Sequence, residues 1–126
     1  MISLEDIKTA HENISNYIYK TPQVKSIALS NIDQRVSLKL ESMQITGSFK
    51  LRGAVNKLLS LSDEQKKRGV IAVSTGNHGK GVAYAAKRLG IKSKIFMSEL
   101  VPTHRRSAIE SFGAEVEIVG TNSDEA

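Results

Sequence analysis

The stretch from Gly69 to Leu89, GVIAVSTGNHGKGVAYAAKRL, decides how the chain folds. Val70 to Val73 is a continuous apolar run, the mark of a strand covered on both faces in a parallel sheet. A glycine-rich turn follows, then a predicted helix from about Gly79 to Leu89, closed by Gly90. Further on, Lys94 to Met97 reads as the next strand. Thr103 to Phe112 reads as the next helix, closed by Gly113, and Glu115 to Val119 as a third strand. This β-α-β-α-β run with short loops predicts an α/β fold of three layers, a right-handed parallel sheet lying between helices.

Toward the N-terminus, Ser3 followed by Asp6 reads as a helix cap with an acid at the third helical position. Ile7, Ala10, His11, Ile14, Tyr17 and Ile18 recur at three- and four-residue spacing, so residues 4 to 18 predict an amphipathic helix that Thr21-Pro22 stops. Arg35 to Glu41 alternates, with Val36, Leu38 and Leu40 on one face, and predicts a strand buried on one side. Ser48 to Ser60 predicts a second helix with Leu51, Ala54, Val55, Leu58 and Leu59 as its apolar stripe. Ser62, with Asp63 and Glu64, caps a short third helix ending at Gly69. At the other end, Thr121 to Ala126 reads as the start of a further helix. A natural domain seldom ends there, so a fragment of a longer protein is expected.

Composition narrows the classes. The 126 residues are 40% hydrophobic and 25% charged, with 9 Gly and 2 Pro, as in an ordinary soluble α/β protein. No apolar run approaches the ~20 residues of a membrane helix, and the N-terminus lacks a secretory leader. A chain without cysteine has no disulfide, thiol nucleophile or thiolate metal site. A cytoplasmic enzyme fits. The net charge of +5 is scattered, and the densest basic cluster, Lys66-Lys67-Arg68, falls in a last helical turn, where it complements the helix dipole. With aromatics few and not interleaved with basic residues, nucleic acid is not the expected partner. A basic enzyme handling anionic small molecules is.

Two segments carry chemistry. Ser74-Thr75-Gly76-Asn77-His78-Gly79-Lys80-Gly81 joins the C-terminal end of a parallel strand to a helix N-terminus, where ligands bind in open α/β sheets. The free amides and positive dipole end there favour a carboxylate or phosphate. The same residues also suit an ordinary β-α turn, with Ser74, Thr75 and Asn77 only capping the helix. The segment is neither a Walker A loop nor the dinucleotide GxGxxG pattern. His78 could serve as base, ligand or structural residue; His11 and His104 lie on other elements, and no metal site is predicted. The second segment is Thr46 to Ala54, TGSFKLRGA. Lys50 lies in the first helical turn, where burial and the positive dipole end both disfavour an ammonium. That setting suits a Schiff-base lysine, although most of the twelve lysines will simply be solvated.

Together, LKLES, then TGSFKLRGA, then VIAVSTGNHGKGVAYAA resemble the fold-type II pyridoxal-phosphate enzymes of the threonine/serine dehydratase and serine racemase family. The later stretch IFMSELVPTHRRSAIESFGAEVEIVG is similar to that family too, so the likeness runs from Thr21 to Ala126. VSTGNHG and SELVP are similar to the branch named for hydroxyectoine utilisation. The resemblance implies a tryptophan synthase β-like architecture and pyridoxal 5'-phosphate as cofactor. It implies that Lys50 bonds the cofactor, Phe49 packs behind its ring, and Asn77 hydrogen-bonds the ring's 3-oxygen. Ser74, Thr75, Gly76 and His78 would form the loop that grips the substrate carboxylate. Thr75 stands where the family's racemases place a serine on the far face of the cofactor.

The implied reaction is β-elimination from a hydroxy amino acid such as threonine or serine, giving a 2-oxo acid and ammonia. β-Replacement of the cysteine synthase type is the alternative; His78 after Asn77 argues against it, because those synthases usually carry a threonine there. A truncated or non-catalytic member is the other. The resemblance places residues 1–47 in the family's large domain and 48–126 in its small β-α-β domain, stopping before that domain's last helix and strand. The phosphate cradle and the residue facing the pyridine nitrogen come later in the family's sequences, so this chain alone is expected to bind cofactor poorly and turn over little. Three strands with uncovered edges predict a homo-oligomer.

Overall fold

The computed structural model describes residues 1–121. Helix α1 spans Leu4–Ile14 and opens on the anticipated capping box: Ser3 Oγ accepts from the Asp6 amide at 3.1 Å, and Asp6 Oδ2 accepts from the Ser3 amide at 2.8 Å. The helical pattern continues past Ile14 only as a single 3-10 turn, Ser15–Tyr17. Two three-residue strands then form an antiparallel pair, β1 (Gln23–Lys25) with β2 (Ser37–Lys39). The alternation around Leu38 predicts a strand buried on one side. Instead Leu38 is 39% exposed, because this ribbon has no layer against it among the described residues.

Helices α2 (Lys50–Leu59) and α3 (Asp63–Arg68) follow, the latter held by a second capping box between Ser62 and Gln65. The chain then alternates β3 (Val70–Val73), α4 (Asn77–Arg88), β4 (Ser93–Met97), α5 (Thr103–Ser111) and β5 (Glu115–Ile118). The sheet order is β3-β4-β5, with both neighbouring pairs parallel and Ile71, Lys94 and Glu115 in register. The predicted β-α-β-α-β run is therefore present. The predicted helix start at Thr121–Ala126 lies mostly outside the described residues.

The layering differs from expectation in one respect. Val70, Ala72, Ile95, Met97 and Val116 face α4 and α5 and join the core with Leu51, Val55 and Ile109. The other face is open among the described residues: Ile71 is 75% exposed, and beside it Lys94 pairs with Glu115 at 3.0 Å and Glu117 at 2.8 Å. A four-residue apolar run reads as covered on both sides, yet here it is covered on one. Helix α2 does not lie on that open face; it packs alongside α4, and α1 packs against α2.

Two glycines of α4 permit these close approaches. A Cβ at Gly79 would lie 2.8 Å from Ile109 Cδ1 and 3.3 Å from Ile95 Cγ2. One at Gly81 would lie 3.3 Å from the Leu51 Cα and from the Lys50 carbonyl carbon. Elsewhere polar ties hold the N-terminal segments to one another and to α2. Gln44 is buried and brackets Tyr19, donating to its carbonyl at 3.0 Å and accepting from its amide at 2.9 Å. Arg52 forks onto Glu41 through Nε at 2.9 Å and Nη2 at 2.8 Å, while the Thr21 hydroxyl donates to Glu41 Oε1 at 2.5 Å.

These contacts set stability in checkable ways. Gly79→Ala should destabilise the fold by about 1–3 kcal/mol through overpacking. Gly53→Ala, whose Cβ meets nothing within 4 Å, should instead stabilise α2 by about 0.5–1 kcal/mol. Urea denaturation of both variants measures the contrast. Hydrogen bonds from Arg52 hold the Glu41 carboxyl down at about 2, from 4.5, against partial burial, with Thr21 and the charges of Arg52 and Lys39 adding to the effect. A carboxyl lowered in the folded state stabilises above its unfolded value and loses that contribution as pH falls. Glu41→Gln should therefore cost about 1–3 kcal/mol near neutral pH. Its deficit against the parent should close as pH drops from 4.5 toward 2, followed by denaturation at a series of pH values.

Candidate functional site

Lys50 opens α2, and its position follows from its neighbours. Leu51 is fully buried against Gly81, Arg52 is tied to Glu41, and Lys50 is left exposed on the side of α2 that looks toward β3 and α4. Successive helical residues turn by about 100°, so Lys50 and Arg52 leave the helix on nearly opposite sides. The burial anticipated around Lys50 is not present. Its Nζ instead lies 5.1 Å from the centroid of the Phe49 ring, itself 58% exposed. Phe49 is the N-cap of α2 and supplies no side-chain cap.

Beside this lysine runs a cavity of about 460 Å³ bounded by α2, β3 and α4. Phe49, Lys50, Lys57 and His78 supply its aromatic and polar lining, and Ala54, Leu58, Ala72 and Val82 line part of its apolar wall. The two segments singled out in the sequence, TGSFKLRGA and STGNHGKG, thus meet across one space through Lys50 and His78.

The β3–α4 turn is built as a helix N-terminus at the end of a parallel strand. Ser74 donates its amide to the Phe96 carbonyl at 3.1 Å, and its hydroxyl accepts from the Gly79 amide at 2.8 Å and from the Gly76 amide at 3.3 Å. The Ser74 side chain therefore holds the turn. Gly76 is the N-cap and makes no side-chain cap, so Asn77 and His78 begin the helix with first-turn amides that have no intrahelical acceptor. Both residues are exposed, while Thr75 and Gly76 are half-buried. The helix begins at Asn77, two residues earlier than the spacing of apolar residues suggested, which brings Asn77 and His78 into the first turn. A carboxylate or phosphate suits that end of α4.

Two features were not anticipated from sequence. The first is the cluster of Thr21, Glu41 and Arg52, with Lys39 Nζ donating to the Thr21 carbonyl at 2.6 Å. Its signal was present in outline: the first turn of α2 carries Lys50 and Arg52 and no acid, so a carboxylate from elsewhere is needed. The second is a pair of buried hydroxyls, Thr46 Oγ1 and Ser48 Oγ, with no hydrogen-bond partner among the described residues. Both lie within four residues of Lys50, and no sequence pattern distinguishes a satisfied serine from an orphaned one. Among the described residues no group of three His, Asp or Glu side chains is placed to hold a metal ion, and no helix is long and apolar enough to cross a membrane.

Comparisons with known proteins converge on one family. The family described as PALP, pyridoxal-phosphate dependent enzyme, matches residues 14–126. The L-threonine dehydratase catabolic TdcB of Staphylococcus aureus (strain N315) is 50% identical over 127 residues, covering 99% of this chain and 37% of that protein. Among solved structures, serine racemase from Dictyostelium discoideum superposes with a TM-score of 0.90 at 36% identity, over 98% of this chain and 41% of that one. The threonine deaminase from T.th. does so with a TM-score of 0.85 at 40% identity, over 98% and 39%. The chain spans little more than a third of the length of the curated relatives it matches. With the parallel sheet, the lysine that opens α2 and a match from residue 14 to residue 126, the chain belongs to the family of pyridoxal-phosphate dependent enzymes.

Proposed function

We propose that the protein carrying this chain is an ammonia-lyase that removes the β-hydroxyl of a hydroxy amino acid such as threonine or serine, yielding a 2-oxo acid and ammonia. The observation that carries the reading is the meeting of an exposed lysine amine with the N-terminal end of α4 across one cavity, through Lys50 and His78. The names of the similar proteins, threonine dehydratase and threonine deaminase, support the substrate class.

The residues suit pyridoxal phosphate. Lys50 offers a primary amine with no ion pair among the described residues, Phe49 an exposed ring next to it, and the orphaned Thr46 and Ser48 hydroxyls flank the segment. Bound there, pyridoxal phosphate supplies the electron sink for the pair of electrons left when the α-proton departs. Lys50 would hold the group covalently, Phe49 would pack against its ring, and Asn77 would donate to its 3-oxygen. The substrate carboxylate would lie at the first turn of α4, bounded by Ser74, Thr75, Gly76 and His78, where free amides and the helix dipole favour an anion. Freed by the substrate amine, Lys50 Nζ would be the base that receives the α-proton, and would return a proton to the departing β-hydroxyl so that it leaves as water. Addition of water to the resulting imine would release ammonia and the 2-oxo acid. A two-domain organisation, with residues 1–47 in one lobe and 48–126 in the other, is part of this reading, and the Glu41–Arg52 pair would tie the two together. A homo-oligomer in the cytoplasm, without nucleic acid or membrane as partner, completes the reading.

The test is the visible spectrum of the protein with pyridoxal phosphate, followed by borohydride reduction and peptide mapping. A band that is trapped on the Lys50 peptide, and absent in Lys50→Ala, is expected. Label spread evenly over the twelve lysines would contradict the assignment.

A further inference from the structure

The first turn of α2 breaks two rules of helix starts. Phe49 provides no side-chain cap, and the turn holds two cations and no acid, against a positive dipole end. Such a turn frays unless something outside the helix holds it. Glu41 meets the second need: it brings a carboxylate to the turn and grips Arg52 with both oxygens, at 2.8 and 2.9 Å. A bidentate fork fixes orientation as well as distance. Glu41 is itself held by the Thr21 hydroxyl, and the Thr21 carbonyl accepts from Lys39 Nζ, so the grip is anchored in β2 and the residues beside the ribbon. The pair is only 18–25% exposed, which limits screening by solvent.

We propose that Glu41, through its fork with Arg52, is the positioning residue that orients the first turn of α2 and so aims the Lys50 amine into the cavity. The proposal rests on the reading of Lys50 as the attachment lysine. Glu41 and Arg52 do not line that cavity; they act from the opposite side of the helix. Leu51, between Lys50 and Arg52, is locked against Gly81, so the turn is pinned on two sides and the lysine leaves it in one direction.

The experiment reads where pyridoxal phosphate attaches, with no reference to turnover. The protein is incubated with pyridoxal phosphate and reduced, and the share of label on Lys50 is measured against the other lysines. Induced circular dichroism in the visible band reports how rigidly the group is held. The parent should label mainly at Lys50 and show the induced band. Glu41→Gln should cut the Lys50 share by about tenfold, toward the one in twelve of an even spread, because misplacing a reacting group by about 1 Å costs on the order of 10²-fold in reactivity, and should abolish the induced band. Arg52→Lys keeps the charge and loses only the fork, so it carries the test should Glu41→Gln fold poorly; the same loss is expected. Lower melting temperatures with the Lys50 share and induced band unchanged would mean the pair is only structural, overturning the proposal. Label spread evenly in the parent would overturn the reading of Lys50, and the proposal with it.

Discussion

Everything near the candidate site depends on how closely α2 lies against α4. The contact is possible because position 81 has no side chain: a Cβ there would stand 3.3 Å from the backbone of Lys50 and Leu51. Leu51 can then be wholly buried while Lys50, one residue earlier, opens onto the space between α2, β3 and α4. Gly79 does the same on the sheet side, pressing the first turn of α4 against Ile95 and Ile109. The two glycines set the distance between an amine on one helix start and an anion-favouring end on the other.

Helix starts obey the local rules at α1 and α3 and break them at α2 and α4, where the chemistry is expected, and also at α5. α1 and α3 have full capping boxes and acids in their first turns. α2 and α4 have neither. Phe49 is exposed, and two hydroxyls beside it are buried and unpaired among the described residues. Each of these costs stability, and such costs cluster at functional sites. Distant residues offset part of the cost: Glu41 supplies charge to α2, and Ser74 caps the Gly79 amide across the turn.

The order of strands and helices was legible where neighbouring residues announce the start or the end of a helix. Capping serines precede α1 and α3, and Gly69, Gly90 and Gly113, all with positive φ, follow α3, α4 and α5. Lys50 and the STGNHG turn were legible as chemical types at chemically apt places. What escaped depends on contacts distant in sequence. The β1 strand is three residues long and exists only because Ser37–Lys39 pairs with it. The Arg52–Glu41 fork joins residues eleven apart, and the Gln44 bracket on Tyr19 spans twenty-five. The exposure of Ile71 and Leu38 also could not be read, since an apolar strand residue does not announce whether a second layer covers it.

The most direct measurement of the account is a crystal structure of the protein with pyridoxal phosphate. Electron density should run unbroken from Lys50 Nζ to the cofactor's aldehyde carbon, with the ring beside Phe49 and Asn77 at its 3-oxygen. Density joined to another lysine, or a cofactor bound away from the first turns of α2 and α4, would contradict it.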